Sequence, residues 1–533
     1  MKLDESRVVT SRTVVLLILL SIYVYLLVVT AWICDDAYIT LRTVDNFVNG
    51  HGPRWNILDR VQAFTHPLWM LLLSFCYFFT REAYFTSISL SIAISIAAVA
   101  ILAIKGARKL YTAVLLLLAL MFSRAFVDYS TSGLENPLTH LLLIIYFLIL
   151  LRGRFYSRTI LFLSVITALG MLTRMDTAAI FSPGLAYALW KVDEKKLGVK
   201  LLFAGFLSFF MWEFYSLLYY GFLFPNTAYA KLNSGIQSDD LVVQGLRYMK
   251  NSLLNDPVTL TTVVTTLVII SVRRKGTECA AGAGIVLYLL YVVFIGGDFM
   301  SGRFLTAPFF VSLVIAGHIM ENTEFSVCIR HMIPVGIVAL GGVLCPQPPL
   351  LSGLDYGSNR NGLIDVNGIA DERAWYYQFT GLLKYFQGID MPNFPYSDSP
   401  RPGIPAGWHG LQARNFAETT GRWVFFESSI GIFGFFAGSR AHIVDWYALV
   451  DPYLARMPMK KGPWRIGHIQ RVIPEGYMET LAGGVNAIRN PRLAAYYDKI
   501  TIITRGDLTS KERLITIIEM NLHKYDDLLD GAS

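Results

Sequence analysis

Charged side chains are scarce in this 533-residue sequence, 16% of the total against 54% apolar residues, and that balance excludes an ordinary water-soluble protein. Cysteine is scarcer still. The five, Cys34, Cys76, Cys279, Cys328 and Cys345, lie in or beside apolar segments and are spaced neither as a metal site nor as a disulfide framework. None follows Cys345, so the C-terminal region contains no internal disulfide. An internal repeat is lacking, which argues against a transporter built from repeated halves. Absent too is a basic face with the aromatic or fold signatures of nucleic-acid binding, so no nucleic acid is expected as a partner. The net charge of +7 belongs to the apolar part of the chain, since residues 346–533 hold 19 Lys and Arg against 19 Asp and Glu.

What is present is a series of apolar runs from residue 13 to about residue 346, followed by a tail of mixed composition. The first run, 13–33, follows Lys2, Arg7 and Arg12 and is long enough to cross a bilayer. It has no small-residue cleavage site and reads as an uncleaved anchor. Ten further runs, from 85–104 to 332–346, are candidate spans, and 67–79 is an additional one that decides the topology. If 67–79 spans, the basic loops at Lys105–Lys109, Arg152–Arg158, Lys191–Lys200 and Arg273–Lys275 fall opposite the basic N-terminus, against the positive-inside rule. If 67–79 is a juxtamembrane helix, they join it in the cytoplasm. The second version predicts a polytopic α-helical membrane protein with about 11 transmembrane helices. Residues 1–346 form the membrane module, with a first extracytoplasmic loop at 34–84, and 347–533 form a C-terminal mixed α/β extracytoplasmic domain.

The same topology gathers the polar segments on one face. Apolar residues at Ala37, Leu41, Val44 and Val48 predict a surface helix that Gly50 and Gly52 end, with Asp35 and Asp36 at its start. An N-cap and a favourable dipole charge account for one aspartate. Sugar transfer accounts for a second, because an acceptor hydroxyl is a poor nucleophile and a nearby carboxylate can take its proton. A lipid phosphate leaves as an anion that needs cations, and Lys231 and Arg303 lie on outside loops near the membrane boundary. Snorkelling to ordinary lipid is the plain alternative for both. Asp298, after Gly296 and Gly297, can position a sugar, pair with Arg303, or join Asp35 and Asp36 around a divalent metal ion; the metal requirement stays open. Glu135 and Asp176 are helix caps or substrate ligands, and Arg174, Asn226 and Tyr229 lie in outside segments where they can bind substrate. His66 is a substrate hydrogen-bonder or a satisfied interfacial residue. Trp446 offers a face for stacking on a sugar ring, or else belongs to the core. Alternating residues at 423–427 and the run 441–450 predict strands or buried segments.

Together these segments resemble a known family. Asp35-Asp36-Ala37-Tyr38-Ile39, Trp55-Asn56 with Phe64-Thr65-His66-Pro67-Leu68-Trp69, Gly133-Leu134-Glu135-Asn136-Pro137-Leu138, Pro225-Asn226-Thr227-Ala228-Tyr229-Ala230-Lys231 and Gly296-Gly297-Asp298 with Arg303 look like GT-C glycosyltransferases related to the terminal β-arabinofuranosyltransferases of mycobacterial arabinan. Gly431-Ile432, Asp445-Trp446, Asp451-Pro452, Gly467-His468 and Pro474-Glu475-Gly476-Tyr477 extend the resemblance through the tail. The resemblance implies a GT-C fold in a bacterial inner membrane, with active site and tail on the periplasmic side. It implies a polyprenyl-phosphate arabinofuranose donor; a glycan or glycoprotein is the expected acceptor, and transfer in one displacement would invert the anomeric centre. It also favours Asp35 as the base, with Asp36 orienting it or binding substrate, and Trp446 and His468 are the candidates for contact with the acceptor. Ile57-Leu58-Asp59 and Met175 depart from the family pattern and leave the acceptor open. A lipid-linked glycan flippase or a carbohydrate-binding scaffold would be the rival functions.

Overall fold

The computed structural model describes residues 2–232, 234–323, 341–342, 345–359, 361–387 and 406–531. The chain forms two compact units, and their boundary does not fall at residue 346. One comprises Met1–Cys34, Ser87–Ser208 and Ser238–Gln387; the other comprises Asp35–Thr86, Phe209–Gln237 and Gly388–Ser533. The first loop and a later segment therefore go with the tail, while residues 347–387 go with the membrane helices.

The first unit is helical. Among the described residues, four helices are long and apolar enough to cross a membrane: Ser11–Thr30, Tyr84–Gly106, Gly276–Phe294 and Arg303–Glu321. Counting two bent pairs as single spans raises the number to six. The chain is thus a multi-pass membrane protein, but most of the other expected spans are shorter helices. Leu110–Phe122, Asn136–Leu151 and Ser157–Thr173 have fewer residues than the roughly 20 that a perpendicular crossing takes. The expected span 332–346 lies largely outside the described residues. Where a run at 257–272 was expected, Ser238–Asn255 meets Pro257–Arg273 at 110°. The corner is an N-cap: Asp256 accepts the Thr259 N–H at 3.3 Å, and Pro257 occupies the first turn, where its missing N–H costs nothing.

Close approach of helices in this unit relies on glycine. A Cβ on Gly284, in Gly276–Phe294, would fall 2.2 Å from the carbonyl oxygen of Ile180 in Ala178–Lys191. Small residues at such crossings let backbones pack where lipid supplies no hydrophobic drive.

The second unit holds the surface helix predicted at 37–48, found as Asp35–Val48, and the helix Pro67–Thr80, whose 14 residues rise about 21 Å. That length falls short of the hydrocarbon core. Its only sheet among the described residues pairs Val424–Glu427 with His442–Asp445 in parallel, Glu427 opposite Asp445, with the helix Ile430–Ala437 between them in sequence. The first loop belongs here because its apolar residues are part of this core: Ile39 and Trp55 pack with Ile430, Phe433 and Ile443. Phe222 and Ala230, from the segment 209–237, likewise share a core with Val444, Tyr453, Tyr477 and Ile503.

Gly284→Leu should cost about 2 kcal/mol or more, since the neighbour is backbone and cannot turn aside. Thermal unfolding in detergent checks it against Gly483→Leu, whose Cβ meets nothing within 4 Å and should be close to neutral.

Candidate active site

Asp35 and Asp36 occupy the first turn of Asp35–Val48, as expected, but their surroundings differ. Asp35 is buried, and both its oxygens are engaged: Gly431 N–H donates to Oδ2 at 3.0 Å and Ile432 N–H to Oδ1 at 2.8 Å. These are free amides of the first turn of Ile430–Ala437, where an anion is favoured by the helix dipole. Gly431 is required for the contact, because a Cβ there would lie 1.9 Å from the Asp35 carbonyl oxygen. Burial pushes the Asp35 carboxyl up to about 6; the two amide hydrogen bonds oppose that shift and the charge of Asp36 adds to it. Asp36 itself is only half-buried.

Two turns along the same helix, Arg42 holds the far end of the same segment. Its guanidinium donates to the carbonyls of Trp55 (3.0 Å), Gly434 (2.5 Å) and Ala441 (2.6 Å), and it lies 4.3 Å from the Trp55 ring. Asn56 exchanges two hydrogen bonds with the backbone of Ile443, extending the edge of the sheet (3.0 and 3.1 Å).

Several expected substrate ligands are structural ties in this unit. His66 is buried with Nε2 2.7 Å from the Thr40 hydroxyl. Asn226 donates through Nδ2 to the carbonyls of Ala448, Leu449 and Asp451 at 2.9–3.2 Å. Tyr229 packs beneath the Arg456 guanidinium, 4.3 Å from its ring centre. These contacts use the functional atoms of Asn226 for folding. Lys231 is exposed and makes no ion pair among the described residues. His468 is held neutral, pushed down to about 3 by burial and by the positive charges of Arg465 and Lys231, and packs edge-on to Tyr447 at 4.9 Å. Trp446 stacks on Phe426 at 5.0 Å and keeps 38% of its surface exposed.

Two acidic residues at the carboxyl ends of the parallel strands were not singled out from the sequence as candidate ligands. Asp445 accepts the N–H groups of Tyr447 (2.9 Å) and Leu449 (2.6 Å), and burial raises it to about 7, with Asp451 and Asp36 adding to the shift. Glu427, half-buried and also raised to about 7 by burial, makes no side-chain hydrogen bond or ion pair among the described residues. The available signal was the strand-to-helix turn Glu427-Ser428-Ser429-Ile430-Gly431, since ligands favour the carboxyl ends of parallel strands.

In the first unit, five other expected residues do converge. Arg174 grips Asp176 with two hydrogen bonds (3.1 and 2.6 Å) and lies 3.5 Å from Glu135. Arg303 approaches Glu135 at 3.0 Å and Asp298 at 3.8 Å. The direct Asp298–Arg303 pair is therefore the longer contact, with Glu135 the nearer partner. Gly297 permits the turn: its φ is +72°, and a Cβ would fall 2.5 Å from the Cβ of Tyr248. Among the described residues, no group of three or more His, Cys, Asp or Glu side chains is arranged to hold a metal ion.

No family model matches the chain. It is 26% identical to a terminal β-(1→2)-arabinofuranosyltransferase of Mycobacterium tuberculosis, with 93% of this chain and 91% of that protein covered. A protein of the same name from Corynebacterium glutamicum is 25% identical, with 82% and 72% covered. The likeness inferred from scattered motifs is thus borne out along almost the whole chain, and both relatives are named as glycosyltransferase enzymes. A solved structure, ArnT from Cupriavidus metallidurans bound to undecaprenyl phosphate, aligns with a TM-score of 0.44 at 11% identity over 86% of this chain and 84% of that one.

Asp35 in the folded chain keeps a proton that the unfolded chain has released between about pH 4 and 6, so its contribution to stability falls as pH rises through that window. Asp35→Asn should remove this slope, on the order of 2–3 kcal/mol, in paired denaturation curves from pH 4 to 7. Arg174→Ala takes the cation from the largely buried Asp176 side chain and leaves Glu135 with Arg303 alone, and should cost roughly 3 kcal/mol, read as a lowered melting temperature.

Proposed function

We propose that this chain transfers an arabinofuranosyl unit from a polyprenyl-phosphate donor to an extracytoplasmic glycan or glycoprotein acceptor, forming the terminal β-(1→2) bond that its relatives are named for. The observation that carries this reading is the adjacent carboxylate pair opening the first-loop helix, in a chain that resembles those relatives nearly end to end.

The two aspartates divide the work by their surroundings. Asp35 is committed to the amides of Gly431 and Ile432, which suits it to fix the start of the helix. Asp36, more accessible and next in sequence, is the better placed of the two to meet an acceptor hydroxyl, which reverses the order expected from the motif. In the proposed step the acceptor oxygen bonds to the anomeric carbon as the carbon–oxygen bond to phosphate breaks. The bonding pair leaves with the phosphate, and the hydroxyl proton passes to Asp36. Lys231, exposed and without an ion pair among the described residues, is the proposed cation for the departing charge. Trp446, with an exposed ring, is proposed to stack on the acceptor sugar. Arg303 is already committed to Glu135 and Asp298, and enters the proposal as a phosphate ligand only on its sequence position. A single displacement inverts the anomeric centre, so a β product requires an α-configured donor.

The test uses purified full-length protein in detergent, synthetic polyprenyl-phosphoryl arabinofuranose of each anomeric configuration and a panel of acceptors, with products read by mass spectrometry and NMR. Asp36→Asn should lower turnover about 10²–10⁴-fold while leaving the melting temperature near wild type. Turnover within tenfold of wild type would remove Asp36 as base. A folded Asp35→Asn protein with the larger loss would return that role to Asp35. Absence of any pentose transfer, with donor movement only in sealed vesicles, would favour a flippase.

A further inference from the structure

A groove of about 830 Å³ opens on the first unit, far in sequence from the carboxylates above. Its walls are the start of Ser157–Thr173 and the start of Lys195–Gly205, with Phe155, Tyr156, Leu161, Val192, Leu197 and Leu201 lining it. Its volume falls in the range of ligand sites, and its lining suits a hydrocarbon chain.

The rim has the opposite character. Segments 152–158 and 191–200 carry seven basic residues against two acidic ones. Local structure already uses part of this charge. Lys195 caps the helix Ala178–Lys191 by donating to the carbonyls of Leu189 (3.1 Å) and Trp190, and Lys191 lies 4.3 Å from the centre of the Trp190 ring. Glu194 accepts the Ser157 hydroxyl at 2.7 Å. That leaves Arg152, Arg154, Arg158, Lys196 and Lys200 exposed, with no side-chain hydrogen bond or ion pair among the described residues, against one uncommitted acid, Asp193. Arg158 lines the groove itself, one turn before Leu161. Lys196 and Lys200 repeat at four-residue spacing, each next to a leucine of the wall.

We propose that this groove is a binding site for an anionic phospholipid, with one acyl chain between the two helices and the headgroup phosphate on Arg158, Lys196 and Lys200. A neutral lipid would leave these cations unmatched, and a soluble phosphate would leave the apolar walls exposed. The basic loops are those that the positive-inside rule assigns to the cytoplasm, the face where anionic headgroups attract such clusters.

The full chain, purified in detergent and reconstituted in nanodiscs of phosphatidylglycerol or of phosphatidylcholine with the same acyl chains, tests the assignment by native mass spectrometry and thermal unfolding. Phosphatidylglycerol should stay bound and raise the melting temperature, and phosphatidylcholine should do neither. The triple variant Arg158→Gln/Lys196→Gln/Lys200→Gln, at exposed positions without structural bonds, should fold normally. It should weaken phosphatidylglycerol binding on the order of 100-fold, from roughly fivefold per cation. Leu161→Trp, which fills the groove and keeps the charges, should also lose the lipid. Equal retention of the two lipids, or an undiminished preference in the triple variant, would overturn the proposal. So would a stabilisation by soluble glycerol phosphate as large as that by the lipid, which would make the site one for phosphate alone.

Discussion

One short helix, Ile430–Ala437, is held by opposite charges reaching from a single neighbour. Asp35 meets the amides at its start, and Arg42 meets the carbonyls of Gly434, in its last turn, and of Ala441, beyond its end. Each charge complements the helix dipole at its own end, and each satisfies backbone groups that a helix terminus leaves without partners. Both side chains are buried, so neither can trade its contact for water without a cost of several kcal/mol. The position of the first-loop helix, and with it the place of Asp36 in its first turn, depends on this clamp. Gly431 is its indispensable part, because only a residue without a Cβ lets the Asp35 backbone come so close.

The first unit uses charge differently. Arg174, Arg303, Glu135, Asp176 and Asp298 come from three separate segments and neutralise one another in a largely buried network. Such a network adds less to stability than its Coulomb attraction suggests, since every member was taken out of water. It ties the ends of several helices to one another through charge-assisted contacts.

The sequence made much of this legible. Asp35–Val48 could be placed from apolar spacing and the glycines after it, and Pro67–Thr80 was set apart from the spans by charge parity. Both strands fall within the segments where alternation and apolar runs pointed. Less visible was how the segments would sort. Asn226 reads as a substrate ligand because it occurs in a polar motif on an outside loop. In the fold its amide donates to the carbonyls of residues 448, 449 and 451. Spacing along a chain cannot distinguish an amide that binds substrate from one that satisfies distant backbone. Glu427 was overlooked for the converse reason. At the end of an alternating strand it reads as an ordinary outward-facing residue, and only the parallel pairing opposite Asp445 gives it a place.

Composition and periodicity by themselves determined that this chain lies in a membrane, that its tail needs no disulfide, and that two adjacent carboxylates stand where the first apolar run ends. Those properties follow from the cost of placing charge in hydrocarbon and from the geometry of a helix, both local to the chain. Tertiary structure alone decided that Asp35 is buried against the amides of Gly431 and Ile432 while Asp36 stays half-buried. It also decided that residues 35–86 fold with the tail and 347–387 with the spans. The reason in each case is that a buried polar group must find its partner wherever the fold brings one, and for Asp35 that partner lies nearly 400 residues away.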